Sequence, residues 1–130
     1  MDIDHNKITE LAKKYGLSLV VLFGSHVTGR THKESDVDIA FLPVQPLTTP
    51  QEIQINYELT LICKTDRIDS VNLRYAHPLL LKEIADQGKI LYENTGTEFA
   101  ELELYALRRY QEARPLYEIR REKLTEFVTS

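Results

Sequence analysis

The sequence predicts an α/β fold in which a small mixed sheet is flanked by helices and followed by a C-terminal helical extension. Three observations support this prediction. Helical and strand-like hydrophobic patterns alternate along residues 5–92, two of the strand-like runs flank a segment that contains glycines and aspartates, and a long helical pattern occupies residues 98–128. Alternation of this kind is typical of layered α/β domains, so one sheet covered by helices is expected.

The first elements are a helix and two strands. Apolar residues recur at helical spacing over residues 5–15, and Gly16 is a residue type that commonly ends a helix. An apolar run predicts a strand over residues 17–23, and a second apolar run predicts another over residues 36–42.

The middle of the chain alternates between helix and strand. Thr49-Pro-Gln-Glu52 has the form of a capping box with proline at the first helical position, which predicts a helix that begins there. A short strand that contains Asp69 follows. Pro78 then opens a short helix, and residues 89–92 form the last predicted strand.

The C-terminal segment differs in kind from the rest. Asn94-Thr-Gly-Thr97 is a turn-like boundary, so we divide the chain into a core of residues 1–94 and a helical extension of residues 95–130 within the same domain. The extension would span roughly 45 Å, which exceeds a small sheet, and Pro115 is expected to kink or break it. Two interpretations stay open: the segment forms a helical hairpin that folds back on the domain, or it forms an extended arm that binds a partner protein.

The most informative segment is a Gly24-Ser25 pair that is separated by ten residues from Asp36-x-Asp38. Alternate residues of a strand face the same side, which places the two carboxylates about 7 Å apart. Such carboxylates raise each other's pKa unless a cation lies between them, and Mg²⁺ or Mn²⁺ prefers oxygen ligands. Glycine at a strand exit allows backbone N–H groups to approach an anion, beside the serine hydroxyl. The segment therefore suggests metal-assisted transfer from a nucleoside triphosphate.

This Gly-Ser and Asp-x-Asp pattern is the signature of the DNA polymerase β-like nucleotidyltransferase superfamily. Over residues 17–92 the chain resembles its minimal nucleotidyltransferase (MNT) branch, whose members often act as antitoxins in HEPN/MNT toxin–antitoxin pairs. There the MNT protein transfers AMP from ATP to a tyrosine of the HEPN RNase. The resemblance implies that Asp36 and Asp38 hold two Mg²⁺ ions, with Mn²⁺ as the alternative, and that Gly24 and Ser25 bind the β- and γ-phosphates of ATP.

The resemblance also implies a third carboxylate on a neighbouring strand. Asp69 is the best candidate because it follows the apolar Ile68, and it would complete the second metal site and help to remove the acceptor proton. Asp66 is the alternative, although its position at the strand entrance is more typical of a solvated turn residue. Asn72 stands where some relatives have a further acid.

Composition limits the classes of function. A chain of 130 residues is long enough for one core but too short for a separate acceptor-binding domain. Its net charge of −4 argues against direct, non-specific nucleic-acid binding. The single cysteine, Cys63, excludes an internal disulfide and fits a reducing compartment. The polar N-terminus is not a signal peptide and no apolar run would span a membrane, so a cytoplasmic location is expected.

Three functions compete at this point. The first is AMP transfer to a tyrosine of a HEPN toxin, which the minimal size and the apolar C-terminal segment favour. The second is nucleotidylation of a small molecule such as an aminoglycoside, although such relatives usually have a further helical domain. The third is a non-catalytic antitoxin that neutralises its partner by binding, and the intact set of aspartates argues against it.

Overall fold

The computed structural model describes residues 3–24 and 36–129 of the chain. Within these residues helices and strands alternate, as the sequence predicts. The elements are α1 (His5–Tyr15), β1 (Leu17–Phe23), β2 (Val37–Pro43), α2 (Thr49–Cys63), β3 (Ile68–Asn72), a 3₁₀ turn (Leu73–Tyr75), α3 (Pro78–Gln87), β4 (Lys89–Glu93) and α4 (Glu98–Thr129).

The four described strands form one mixed sheet in the order β3-β2-β1-β4. β1 is antiparallel to both β2 and β4, whereas β2 is parallel to β3. The first residues of β2 and β3 therefore lie at the same end of the sheet as the last residues of β1. The predicted α/β class with a small mixed sheet is confirmed.

Helices cover both faces of the sheet. Val37, Ile39 and Phe41 of β2 belong to a buried cluster that also contains residues of α1 and α2. Ala40 belongs to the second cluster, with residues of α3 and α4 such as Leu81. Because side chains alternate along a strand, Asp38 lies on the same face as Ala40, which is the face that α3 and α4 cover.

Polar side chains fix the helix ends. Asp4 accepts hydrogen bonds from the first turn of α1, and Gly16 ends that helix in the left-handed region. The capping box of α2 was predicted one residue too late, since the box is formed by Thr48 and Gln51 and Pro50 occupies the second helical position. Threonine followed by Gln or Glu three residues later occurs at both positions, so the sequence alone did not separate them.

α4 is one continuous helix with Pro115 inside it. Of the predicted kink or break near this proline, the break is therefore wrong, while the kink stays a prediction. Of the two interpretations left open for this segment, the hairpin is excluded because the helix is continuous over Glu98–Thr129. Its buried residues are Leu102 and Ala106 in its first half, while Leu116 and Leu124 are exposed. None of the helices in the described ranges is long and apolar enough to cross a membrane.

Candidate active site

The candidate site lies where the first residues of β2 and β3 meet the end of β1. Asp38 is the register partner of Phe23 in β1 and of Asp69 in β3. Partner residues of adjacent strands lie about 5 Å apart and project to the same face of the sheet. The sheet therefore places the Asp38 and Asp69 carboxyl groups side by side, on the face that α3 covers.

Gly24 follows β1 directly and borders the Asp38 carboxyl group. Its backbone has a φ of +82°, in the left-handed region that favours glycine. A Cβ atom at this position would lie 2.2 Å from Asp38 Oδ2 and 3.1 Å from Asp38 Cγ. Gly24 is therefore required both for the turn and for the space that the Asp38 side chain occupies.

The environment of Asp38 disfavours its charged form. Burial, and then the negative charges of Asp69, Asp36 and Glu83, raise the pKa of the Asp38 carboxyl group to about 6, and a hydrogen bond with Asp69 acts in the same direction. A cation would reverse this effect because it favours the ionised form of every carboxyl group around it. Acidic side chains therefore surround Asp38, and the strands β1, β2 and β3 contain no Lys, Arg or His that would compensate their charge.

The other residues predicted or considered for the site are Asp36, Ser25 and Asp66. Asp36 is exposed and immediately precedes β2, two residues before Asp38. Ser25 lies outside the described residues, and its predicted role in phosphate binding stays a prediction. Asp66 is exposed before β3 begins and, unlike Asp69, has no register partner in β2. The role of Asp69 as the third carboxylate stays a prediction.

Two further side chains contribute to the site and were missed in the sequence. Glu83 of α3 adds negative charge near Asp38. Asn56 of α2 donates hydrogen bonds to Ser70 Oγ (2.9 Å) and to the Ile68 carbonyl oxygen (3.3 Å), and so holds β3 on both sides of Asp69. An asparagine directly after the buried Ile55 was the only sequence signal for this contact.

The chemistry of these side chains fits a hard divalent cation. Carboxylate oxygens are the ligands that Mg²⁺ and Mn²⁺ prefer, and Mg²⁺ is usually held by one or two carboxylates together with substrate phosphates. Among residues 3–24 and 36–129, no three His, Cys, Asp or Glu side chains form a group that could hold a metal ion alone. The structure therefore does not bring Asp36, Asp38 and Asp69 together as three ligands of one metal ion, and their role in metal binding stays a prediction.

The chain as a whole is similar to known proteins. The model of the family described as polymerase beta nucleotidyltransferase matches residues 6–96. The protein adenylyltransferase MntA of Shewanella oneidensis is 33% identical over 108 residues, which cover 82% of this chain and 74% of the relative.

Solved structures show the same similarity. One is a toxin–antitoxin complex with AMP-PNP, in which the matching chain is 27% identical with a TM-score of 0.76 over 98% of this chain and 100% of the other. Another contains the tri-AMPylated HEPN toxin of Shewanella oneidensis with its MNT antitoxin, at 25% identity and a TM-score of 0.68 over 97% of this chain and 96% of the other.

Proposed function

The chain belongs to the polymerase beta nucleotidyltransferase family, and we propose that it is a metal-dependent adenylyltransferase that acts as an antitoxin. Its reaction transfers AMP from ATP to a tyrosine of a cognate HEPN RNase toxin. The similarity to a protein adenylyltransferase, and to chains from complexes with AMP-PNP and with an AMPylated HEPN toxin, supports this choice of nucleotide and acceptor.

The observation that carries the proposal is the pairing of Asp38 with Asp69 beside Gly24. Parallel pairing of β2 and β3 fixes the two carboxyl groups on one face, and the absence of a Cβ atom at Gly24 leaves room for the Asp38 carboxyl group. In transfers of a phosphoryl or nucleotidyl group, positioning and charge neutralisation account for most of the catalysis. Rigid placement of carboxylates at a strand end provides that positioning.

The residues of the site divide into two roles. Asp36, Asp38 and Asp69 would hold two Mg²⁺ ions, which when bound neutralise the triphosphate and lower the pKa of a coordinated hydroxyl group. Gly24 and Ser25 would bind the β- and γ-phosphates through backbone N–H groups and the serine hydroxyl. Ser25 enters the proposal on the family motif alone.

The proposed step is a displacement at the α-phosphorus of ATP. The tyrosine oxygen forms a bond to this phosphorus, the bond to the bridging oxygen of the β-phosphate breaks, and pyrophosphate leaves. The phenol proton passes to the Asp69 carboxylate and then to water. Asp69 is exposed, and so can be reached by an acceptor on another protein.

The alternative with a small-molecule acceptor has no support in the described residues. α3 and α4 pack on the face that contains Asp38 and Asp69, and Asp69 at the start of β3 is exposed. A protein acceptor suits an exposed site because it brings its own surface. We also propose a cytoplasmic location, in which Cys63 stays the buried free thiol that the structure shows.

The test uses ATP that is labelled at either its α- or its γ-phosphate. The chain is incubated with Mg²⁺ and its candidate HEPN toxin, and protein-bound label is measured. We expect transfer of the α-label without the γ-label, and a loss of transfer in Asp38→Asn. Transfer of the γ-label would indicate a kinase, and transfer of neither label would reject the proposed enzyme.

A further inference from the structure

The side of β3 that faces α2 is polar, although the neighbouring strand is apolar on the same face. Ser70 and Asn72 are the register partners of Ile39 and Phe41 in β2. Ile39 and Phe41 are fully buried in the cluster that also contains residues of α2. Partner residues project to the same face of a sheet, so Ser70 and Asn72 face α2, whereas Asp69 projects from the opposite face. Apolar side chains are the usual residues on a strand face that a helix covers, so these two polar residues need an explanation.

Side chains of α2 bind both of these polar residues. Asn56 Nδ2 donates hydrogen bonds to Ser70 Oγ (2.9 Å) and to the Ile68 carbonyl oxygen (3.3 Å). One helical turn earlier, Glu52 Oε1 accepts a hydrogen bond from Asn72 Nδ2 (2.9 Å). Residues four apart lie on the same side of a helix, so Asn56 and Glu52 together join one side of α2 to β3.

These contacts have a consequence for the register of β3, which is held in the sheet on one side only. The strand order is β3-β2-β1-β4, so β2 is the sole partner of β3 among the described strands. A shift of one residue in this pairing would turn Asp69 away from the face of Asp38, and a shift of two would place Arg67 or Val71 beside Asp38 instead. A hydrogen bond has a defined partner and direction, whereas an apolar contact tolerates sliding, so the polar contacts with α2 favour the observed register.

We propose that Asn56 is a positioning residue for AMP transfer, which binds β3 on both sides of Asp69 and so keeps the Asp69 carboxyl group beside Asp38. Its two acceptors belong to the residues directly before and after Asp69, whereas Glu52 reaches only Asn72, further along the strand. Asn56 acts on the reaction through Asp69 and needs no contact with ATP or the acceptor. This inference rests on the proposed function, in which Asp69 takes part in the transfer, and adds the residue of α2 that fixes its position.

The competing interpretation is that Asn56 only stabilises the fold. In that case its replacement would lower stability, and would affect the reaction no more than the loss of any other contact between α2 and β3. Glu52 makes such a contact, through one side-chain hydrogen bond to the same strand. Comparison of the two residues therefore separates positioning from stabilisation.

The test compares Asn56→Ala with the matched control Glu52→Ala in the full chain. For each protein we measure the midpoint of urea unfolding, the Kd for ATP in Mg²⁺, and the single-turnover rate of AMP transfer to the candidate HEPN toxin at saturating ATP and toxin. The same measurements are made on Asp69→Asn and on the double variant that combines Asn56→Ala with Asp69→Asn. Ser70→Ala is a milder variant of the same contact, since it removes one of the two hydrogen bonds of Asn56 and keeps the other.

Asn56→Ala should lower the transfer rate about 10–100-fold and leave the Kd for ATP within about twofold, because it misplaces Asp69 without touching Gly24 or Asp38. Glu52→Ala should lower the urea midpoint by a similar amount and keep the transfer rate. In the Asp69→Asn background, Asn56→Ala should cause no further loss of rate, since its effect passes through Asp69.

Equal transfer rates in Asn56→Ala and Glu52→Ala would overturn the positioning role even if AMP transfer occurs. A further loss of rate in the double variant, as large as the loss that Asn56→Ala causes alone, would also overturn it, because Asn56 would then act independently of Asp69. If Asn56→Ala does not fold, a transfer rate in Ser70→Ala equal to that of the original chain would overturn the role. Absence of transfer in the original chain would reject the proposed function, and the positioning role with it.

Discussion

Gly24 provides the space that the Asp38 carboxyl group occupies. A Cβ atom at Gly24 would lie 2.2 Å from Asp38 Oδ2, and the φ of +82° is strained for any other residue. We therefore predict that Gly24→Ala lowers the free energy of unfolding by about 1–2 kcal/mol and displaces the Asp38 side chain. Urea unfolding and calorimetric titration with ATP and Mg²⁺ measure the two effects separately.

Gly96→Ala is the matched control for this prediction. Gly96 has a similar φ of +88°, but a Cβ atom there would meet nothing within 4 Å. The control should lose stability by a similar amount and keep its affinity for ATP. Unchanged ATP affinity in Gly24→Ala would show that the contact with Asp38 is not needed for nucleotide binding.

The raised pKa of Asp38 predicts a pH dependence of stability. In the folded protein the Asp38 carboxyl group has a pKa of about 6, against 3.8 for an ordinary Asp carboxyl group. The folded state therefore binds this proton more tightly than the unfolded state, and the free energy of unfolding falls as the pH rises from about 4 to about 6. Asp38→Asn removes the effect. In EDTA, the Tm of Asp38→Asn minus the Tm of the original chain should rise from pH 4 to pH 7 and then level off. A Tm difference between Asp38→Asn and the original chain that does not change with pH would contradict the crowding of negative charge around Asp38.

Removal of divalent metal should weaken the binding of ATP. The carboxyl groups of Asp36, Asp38 and Asp69 repel a triphosphate unless cations lie between them. Calorimetric titration with ATP is carried out first in Mg²⁺ and then in EDTA. Equal affinity under the two conditions would reject a metal role for these residues.

The third carboxylate can be identified by comparing two variants. Asp69 pairs with Asp38 in the sheet, whereas Asp66 lies before the strand. We expect Asp69→Asn to reduce AMP transfer by about two orders of magnitude or more, and Asp66→Asn to have a mild effect. Single-turnover rates at saturating ATP measure both, and a larger loss in Asp66→Asn would show that the assignment of Asp69 is wrong.

The fold was largely predictable because each element has a local signal. The strands over residues 17–23 and 89–92 are bounded by turn residues, and Gly16 and Pro78 mark helix ends. Neither the pairing of Asp38 with Asp69 nor the contact of Gly24 with Asp38 could be read from the sequence. Both depend on the register between strands that are distant in the chain, which local patterns do not determine.

The continuity of α4 through Pro115 was predicted less well, because it also depends on more than the local sequence. Pro115 indicates a possible interruption, but whether a helix breaks at a proline depends on its surroundings as well as on the residue itself. The hydrophobic pattern showed that the distal half has an apolar side, and could not distinguish a hairpin from an extended helix. The division of the chain at residue 94 stays a prediction.

Under the proposed function the chain neutralises its toxin by covalent transfer of AMP at the Asp38 and Asp69 carboxyl groups. The most direct measurement is mass spectrometry of the HEPN protein after incubation with the chain, ATP and Mg²⁺, followed by an assay of its RNase activity once the two proteins have been separated. We predict AMP on a tyrosine and a lasting loss of RNase activity with the original chain. With Asp38→Asn, which should still bind the HEPN protein, we predict no AMP and full recovery of RNase activity. Lasting inactivation by Asp38→Asn, or inactivation by the original chain without AMP on the toxin, would contradict the claim.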